Sequence, residues 1–226
     1  MNKLRITFVT IFASLLLTVS SFAEVRIGVS AGFNMIEAAG SETIKDSNAV
    51  TTHTEQANAI IPSIFLELAM ANGLGVGLDM ITGSADLAGS GRTSNKTAGG
   101  IAGEGNDVQT NTANAEVDGI TTAYLIKTFG SGLFVKLGVS QADVNTKETL
   151  GTGTTYGNTS VDGMNYGIGY ELKKDSGLFI RTAVEYTDFD SVNLTGSEVG
   201  GTASSFNVIK ADVDVAMAKF SIGKAF

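Results

Sequence analysis

The chain has no cysteine and no tryptophan, and only one proline and one histidine in 226 residues. Without cysteine there is no disulfide framework and no thiolate chemistry. Basic residues are also scarce, with 15 Lys and Arg against 23 Asp and Glu. That balance argues against a nucleic-acid partner. No long stretch keeps a clean helical period. What is abundant is glycine, at 28 residues, and apolar side chains that alternate with polar ones. Low proline, high glycine and alternation point to β structure.

Residues 1–23 have the three parts of a secretory signal. Lys3 and Arg5 form a positive start, Ile6 to Val19 an apolar run, and Ser21-Phe22-Ala23 a small-residue cleavage site. Cleavage after Ala23 is expected. A membrane anchor fits less well, because the run is short for a span and no second span follows. Removing Lys3 and Arg5 leaves 13 basic against 23 acidic residues, a net charge near −10. The remaining 24–226 suits one domain.

Alternation predicts eight strands: 24–34, 60–70, 74–82, 117–129, 133–144, 161–173, 177–189 and 208–226. Three connections are short hairpin turns, Ala71-Asn72-Gly73, Gly130-Ser131-Gly132 and Lys174-Asp175-Ser176. The other four, roughly 35–59, 83–116, 145–160 and 190–207, are long and rich in Gly, Thr, Ser, Asn and Asp. An even strand count with short turns at one end and long polar loops at the other fits an antiparallel transmembrane barrel. The last strand ends in Phe220, Ile222 and Phe226 on one face. Soluble domains rarely end this way, whereas a barrel must close its last strand on its first.

With its Ser21-Phe22-Ala23 site and its terminal Phe220, Ile222 and Phe226, the chain resembles the small eight-stranded outer-membrane β-barrel proteins of the OmpA/OmpX type. The resemblance implies an all-β, eight-stranded, up-and-down barrel over 24–226, and the periplasmic domain that larger members carry is not expected here. It implies a place in the bacterial outer membrane, reached through the signal peptide. It also implies that the barrel-assembly machinery reads the last strand. Lys224 departs from the pattern, which usually has an apolar residue there. Val213, Val215 and Met217 run out of phase with Phe220 and Phe226, so a β-bulge or a change of role is expected near 216–218.

If the apolar phase faces lipid, the lumen receives Arg26, Glu67, Asp79, Lys127, Lys136, Glu171, Lys173, Arg181, Glu185 and Lys219. On the lipid face, Lys or Arg at midplane would cost about 2–4 kcal/mol. Inside a barrel just wide enough for side chains, these groups can pair. The expectation is an ion-pair network rather than an open channel. Glycines such as Gly28, Gly77, Gly138, Gly169 and Gly223 share the lumen phase. They leave room for the longer side chains, or for a narrow wet path. Aromatic residues near both strand ends, among them Phe33, Phe129, Phe134, Tyr170, Phe179, Tyr186, Phe189 and Phe226, suggest an interfacial belt.

Signs of catalysis are few. His53 sits among hydroxyls in Thr51-Thr52-His53-Thr54, but no Gly-x-Ser-x-Gly elbow accompanies it. It reads as a solvated loop residue rather than a catalytic one. Asp188, Asp190, Asp212 and Asp214 could tempt a hard cation, yet no complete ligand loop is visible, so a solvated rim is expected. No metal and no cofactor are expected. The function expected is structural or surface-interacting, with the long loops displayed to an unidentified ligand. A narrow porin is the alternative, and an enzyme using His53 a distant third. The expected partners are outer-membrane lipid, the assembly machinery and the loop ligand, with the protein as a monomer.

Overall fold

In a computed structural model the structure describes residues 24–44, 49–87, 92–97, 108–149, 155–197 and 207–226. The proposed signal, residues 1–23, lies outside these. The described strands are β1 (Glu24–Ile44), β2 (Ala49–Ala69), β3 (Leu74–Ile81), β4 (Ser84–Asp86), β5 (Arg92–Thr97) and β6 (Val108–Thr128). They continue with β7 (Leu133–Thr149), β8 (Thr159–Lys173), β9 (Leu178–Phe189), β10 (Val192–Thr195) and β11 (Val208–Ala225). Eight of them form an antiparallel wall in the order β1-β2-β3-β6-β7-β8-β9-β11, and β11 pairs back onto β1. The short β4 and β5 extend the β3 side of β6, and β10 lies against the far end of β11. The sheet is therefore a closed barrel and leaves no open edge along these staves.

The three short turns share one geometry. Gly73, Gly132 and Gly177 have φ of 81°, 90° and 82°. Each closes a three-residue loop by donating its N–H to the last residue before the turn, Met70, Phe129 or Lys174. The third turn thus includes Gly177, which the sequence reading had placed in the strand. A side chain at Gly132 would bring its Cβ to 2.4 Å from the Glu171 carbonyl oxygen, on top of the left-handed backbone. Gly132→Ala is expected to cost about 1–2 kcal/mol. A urea series in lipid vesicles would detect this as a lowered midpoint.

At the opposite end the long connections contain far more strand than their polarity suggested. β1, β2 and β6 each run 21 residues. A tilted strand needs only about 9–11 to cross hydrocarbon. Beyond the apolar zone the ladder continues, as in Gly40 opposite His53 and Thr43 opposite Val50. Outside lipid a strand can be polar on both faces and keep its hydrogen bonds, so apolar alternation no longer marks it.

Burial is inverted relative to a water-soluble domain. Ile60 is 75% exposed, Val184 62% and Leu125 58%, while Glu67 is 0% and Asn34 1% exposed. Ile27, Val29, Leu137, Ile168, Tyr170, Phe220 and Ile222 are among the exposed apolar residues. An apolar exterior of this extent is the surface that a lipid-embedded barrel presents. Of the eight expected belt aromatics, Phe134, Phe179 and Phe189 instead turn inward and are buried.

Two phase assignments are corrected. On β6 the apolar Ile120, Tyr124 and Ile126 are buried in the lumen and Leu125 is exposed. Lys127 therefore leaves the lumen set. It shares the outward phase with Leu125 and donates to the Asn72 carbonyl at 2.6 Å, beside the first turn. The cause is that the lumen accepts aromatic rings here, so apolar character did not mark the lipid side. Near 216–218 the alternation is uninterrupted from Val213 to Ala225, with no register shift against β1 or β9. Val213, Val215 and Met217 change role rather than bulge, because they face an apolar upper lumen. The register shift in the pairing of β6 with β7 lies elsewhere, between Asp118 and Thr121, where Gly119 has φ of 58°.

Candidate functional site

Neighbouring staves present inward side chains at matching heights, so the lumen is layered. The order can be read along β9, from Phe179 and Arg181 through Glu185 and Thr187 to Phe189.

The layer nearest the turns centres on Glu67, which is fully buried. Arg181 grips it with two N–H groups, Nη1 to Oε2 at 2.8 Å and Nη2 to Oε1 at 3.0 Å. Arg26 adds a third donor at 3.1 Å, and the Tyr124 hydroxyl a fourth at 3.3 Å. Arg181 Nε donates to Glu171 at 2.6 Å, and Arg26 reaches the same carboxylate at 3.4 Å. Two-pronged contacts of this kind are the strong form of ion pair.

Aromatic rings wall this layer. The Arg181 guanidinium lies 4.8 Å from the Phe179 ring, 5.4 Å from Phe134 and 5.6 Å from Phe65. Each ring is seated opposite a glycine on the next stave: Phe65 on Gly28, Phe134 on Gly169, and Phe179 on Gly223. Tyr124 lies between Gly77 and Gly138. The lumen-phase glycines thus provide the space the sequence suggested, and rings occupy much of it.

The second layer pairs Lys136 Nζ with Glu185 at 2.7 Å and Lys219 Nζ with Asp79 at 2.7 Å. Lys219 also stands 3.7 Å from Glu185. Across both layers Arg26, Lys136, Arg181 and Lys219 balance Glu67, Asp79, Glu171 and Glu185. Eight buried charges are tolerable only when neutral as a set and mutually bonded. Between the layers remains a void of about 20 Å³, lined by Phe65, Asp79, Tyr124, Lys136, Arg181, Glu185 and Lys219 among others. Lys173 lies apart at the turn-end rim, bonded to Glu24.

Above the charges comes a belt of uncharged polar groups. Ser30 donates to Ser221 at 2.8 Å, Thr122 and Ser140 share a hydrogen bond at 2.7 Å, and Asn165 donates to Thr187 at 2.9 Å. Higher still the lumen turns apolar, with Ile36, Ile61, Val117, Val161, Phe189 and Val215 packed together. The sequence reading missed this layer. Its signal was Val213, Val215 and Met217 standing out of phase.

The remaining candidates are on or near the surface. Phe220, Ile222 and Phe226 all point outward, and Phe226 exchanges two backbone hydrogen bonds with Val25. His53 is exposed on β2. Asp214 accepts from the Tyr186 hydroxyl at 2.8 Å and Asp212 from Ser191 at 2.5 Å. Among the described residues no group of three or more His, Cys, Asp or Glu is placed to hold a metal ion. Beyond the apolar zone, Glu116 and Lys147 pair at 2.5 Å. That hydrogen bond lowers the Glu116 pKa and raises that of Lys147.

No family model matches the sequence, and no curated protein matches it. Solved structures do resemble it in three dimensions. The outer membrane protein OprG of Pseudomonas aeruginosa aligns over 91% of this chain and 98% of its own, at 13% identity and a TM-score of 0.53. The outer membrane protease OmpT of Escherichia coli aligns over 90% and 97%, at 8% identity and a TM-score of 0.53. The outer membrane protein AlkL, determined in lipid bilayers, aligns over 92% of each chain, at 12% identity and a TM-score of 0.51. At such identities the likeness concerns the fold alone. Its closed eight-stave wall and these neighbours together identify the chain as a small β-barrel with the outer-membrane protein fold.

Proposed function

We propose that this protein is a monomeric, non-enzymatic barrel of the bacterial outer membrane with a closed lumen, and that its work is done at the loop end. The observation that carries this reading is the void of about 20 Å³ between the two ion-pair layers. A space of that size holds about one water molecule and no hydrated ion. The role is structural and surface-interacting, with the extended strands and their loops held outside the membrane for a ligand. Residues 1–23 serve as the signal, cut after Ala23. Phe220, Ile222 and Phe226 are the surface offered to the assembly machinery.

Planar-bilayer recording of the protein extracted from membranes tests this proposal. The parent should show no steady current. The charge-neutral set Glu67→Ala, Arg181→Ala, Lys136→Ala and Glu185→Ala should open small, stable steps. Stable steps in the parent itself would make the protein a narrow porin.

A further inference from the structure

At the loop end the lumen opens into a cavity of about 270 Å³, lined by Ala38, Leu87, Val144, Val192, Leu194 and Val213 among others. Beneath it Ile36, Val117, Val161, Phe189 and Val215 pack together. The cavity exists because small residues, Ala38, Gly40, Ala115 and Ala211, line it where the level below carries branched and aromatic ones. Leaving apolar surface unfilled forgoes the dispersion contacts that larger side chains would make there. A purely structural lumen gains nothing by staying open here.

We infer that this cavity is a binding pocket for a small molecule with a hydrocarbon body and a neutral or cationic head group. An apolar cavity of about 150 Å³ stays dry and takes up benzene. This one is nearly twice that size, so it suits a chain of about eight to ten carbons or a fused two-ring body. The head group is assigned by charge. Among the described residues the lining includes the carboxylates Glu42 and Glu55 and the imidazole of His53, and neither Lys nor Arg. Glu42 is fixed in place, accepting from Asn207 Nδ2 at 2.8 Å and from the Tyr156 hydroxyl at 3.5 Å. A ligand carboxylate beside Glu42 would meet like charge, whereas an amine or hydroxyl would meet an acceptor. The site lies on the loop side of the charge layers, so a ligand reaches it without passing them.

The test is photolabelling in outer-membrane vesicles with two diazirine-bearing ten-carbon probes, an amine and a carboxylate, mapped by mass spectrometry. Free partitioning into lipid labels only outward residues such as Ile222 and Phe220, which provides an internal control. The expected result is amine labelling on Val192, Leu194 and Val213 as well. The carboxylate probe should label those three about tenfold less. Ala38→Phe and, separately, Ala211→Phe should reduce the pocket label about tenfold and leave the outward label unchanged. Two filling variants are used so that one misfolded protein, detected by its mobility on unheated gels, does not decide the matter. Labelling confined to outward residues, or pocket labelling that survives both fillings, would overturn the site. Equal labelling by both probes would overturn the head-group assignment. None of these outcomes depends on whether the lumen conducts.

Discussion

Glu67→Gln is expected to cost about 3–5 kcal/mol, enough to leave much of the protein unfolded under conditions where the parent is folded. The magnitude follows from what the substitution leaves behind. Glu67 accepts from Arg181 twice, from Arg26 and from Tyr124, and at a site with zero exposure no water can accept from these donors in its place. Glutamine keeps the shape but removes the charge, so two guanidinium groups would share Glu171. The rim provides the contrast. Glu24 pairs with Arg26 and Lys173, but it is partly open to water. Glu24→Gln should therefore cost less than about 1 kcal/mol. Urea midpoints in lipid vesicles, read from the folded band on unheated gels, would compare the two. A Glu67 variant within 1 kcal/mol of the parent would mean that the rings, rather than the charges, hold this layer.

The second large effect is steric. At Gly77 a Cβ would lie 2.2 Å from Tyr124 Cζ, 2.4 Å from its hydroxyl oxygen and 2.6 Å from Cε2. Gly77→Val should cost about 3 kcal/mol, at the upper end for overpacking, because the ring is also held between Gly77 and Gly138. All three close atoms belong to one side chain, so the clash is removable. Combined with Tyr124→Ala, Gly77→Val should cost less than the sum of the two changes by about 1–2 kcal/mol. Gly169 provides the control. Its Cβ would meet the Thr182 backbone oxygen at 2.3 Å as well as the Phe134 ring at 2.4 Å. Phe134→Ala should not rescue Gly169→Val, because the backbone cannot step aside. Additivity at Gly77 would refute the ring-on-glycine packing.

These two sites also mark how far the sequence could be read. Strict alternation located the eight staves, because a lipid-facing strand must be apolar at every second residue, and it placed Arg26, Glu67, Arg181 and Glu185 inside. It failed where apolar character stopped reporting direction. Tyr124 and Ile126 are apolar and inward, which turned Lys127 outward. The upper lumen is apolar on the inside, so the phase of Val213 and Val215 left a β-bulge and a change of role equally open. Polar segments such as 49–59 read as loops in the sequence, since outside hydrocarbon nothing in the pattern separates a strand from a coil. The ion pairs were legible as a set of opposite charges sharing a phase. Which partner each charge takes depends on the stagger between staves, and a single sequence does not contain that information.

The seam between β1 and β11 has a kinetic meaning. Its ladder runs from Arg26 opposite Ala225 to Thr43 opposite Val208 without a register shift. In an open sheet, unfolding can begin by peeling an outer strand one residue at a time. Here β1 is bonded along both sides, to β2 and to β11, so there is no loose strand from which to start. Loss of structure must break a long stretch of ladder at once, within a medium that offers the freed groups no water. Unfolding and refolding curves for such a ring should fail to superimpose, and its persistence is then governed by a rate rather than by an equilibrium.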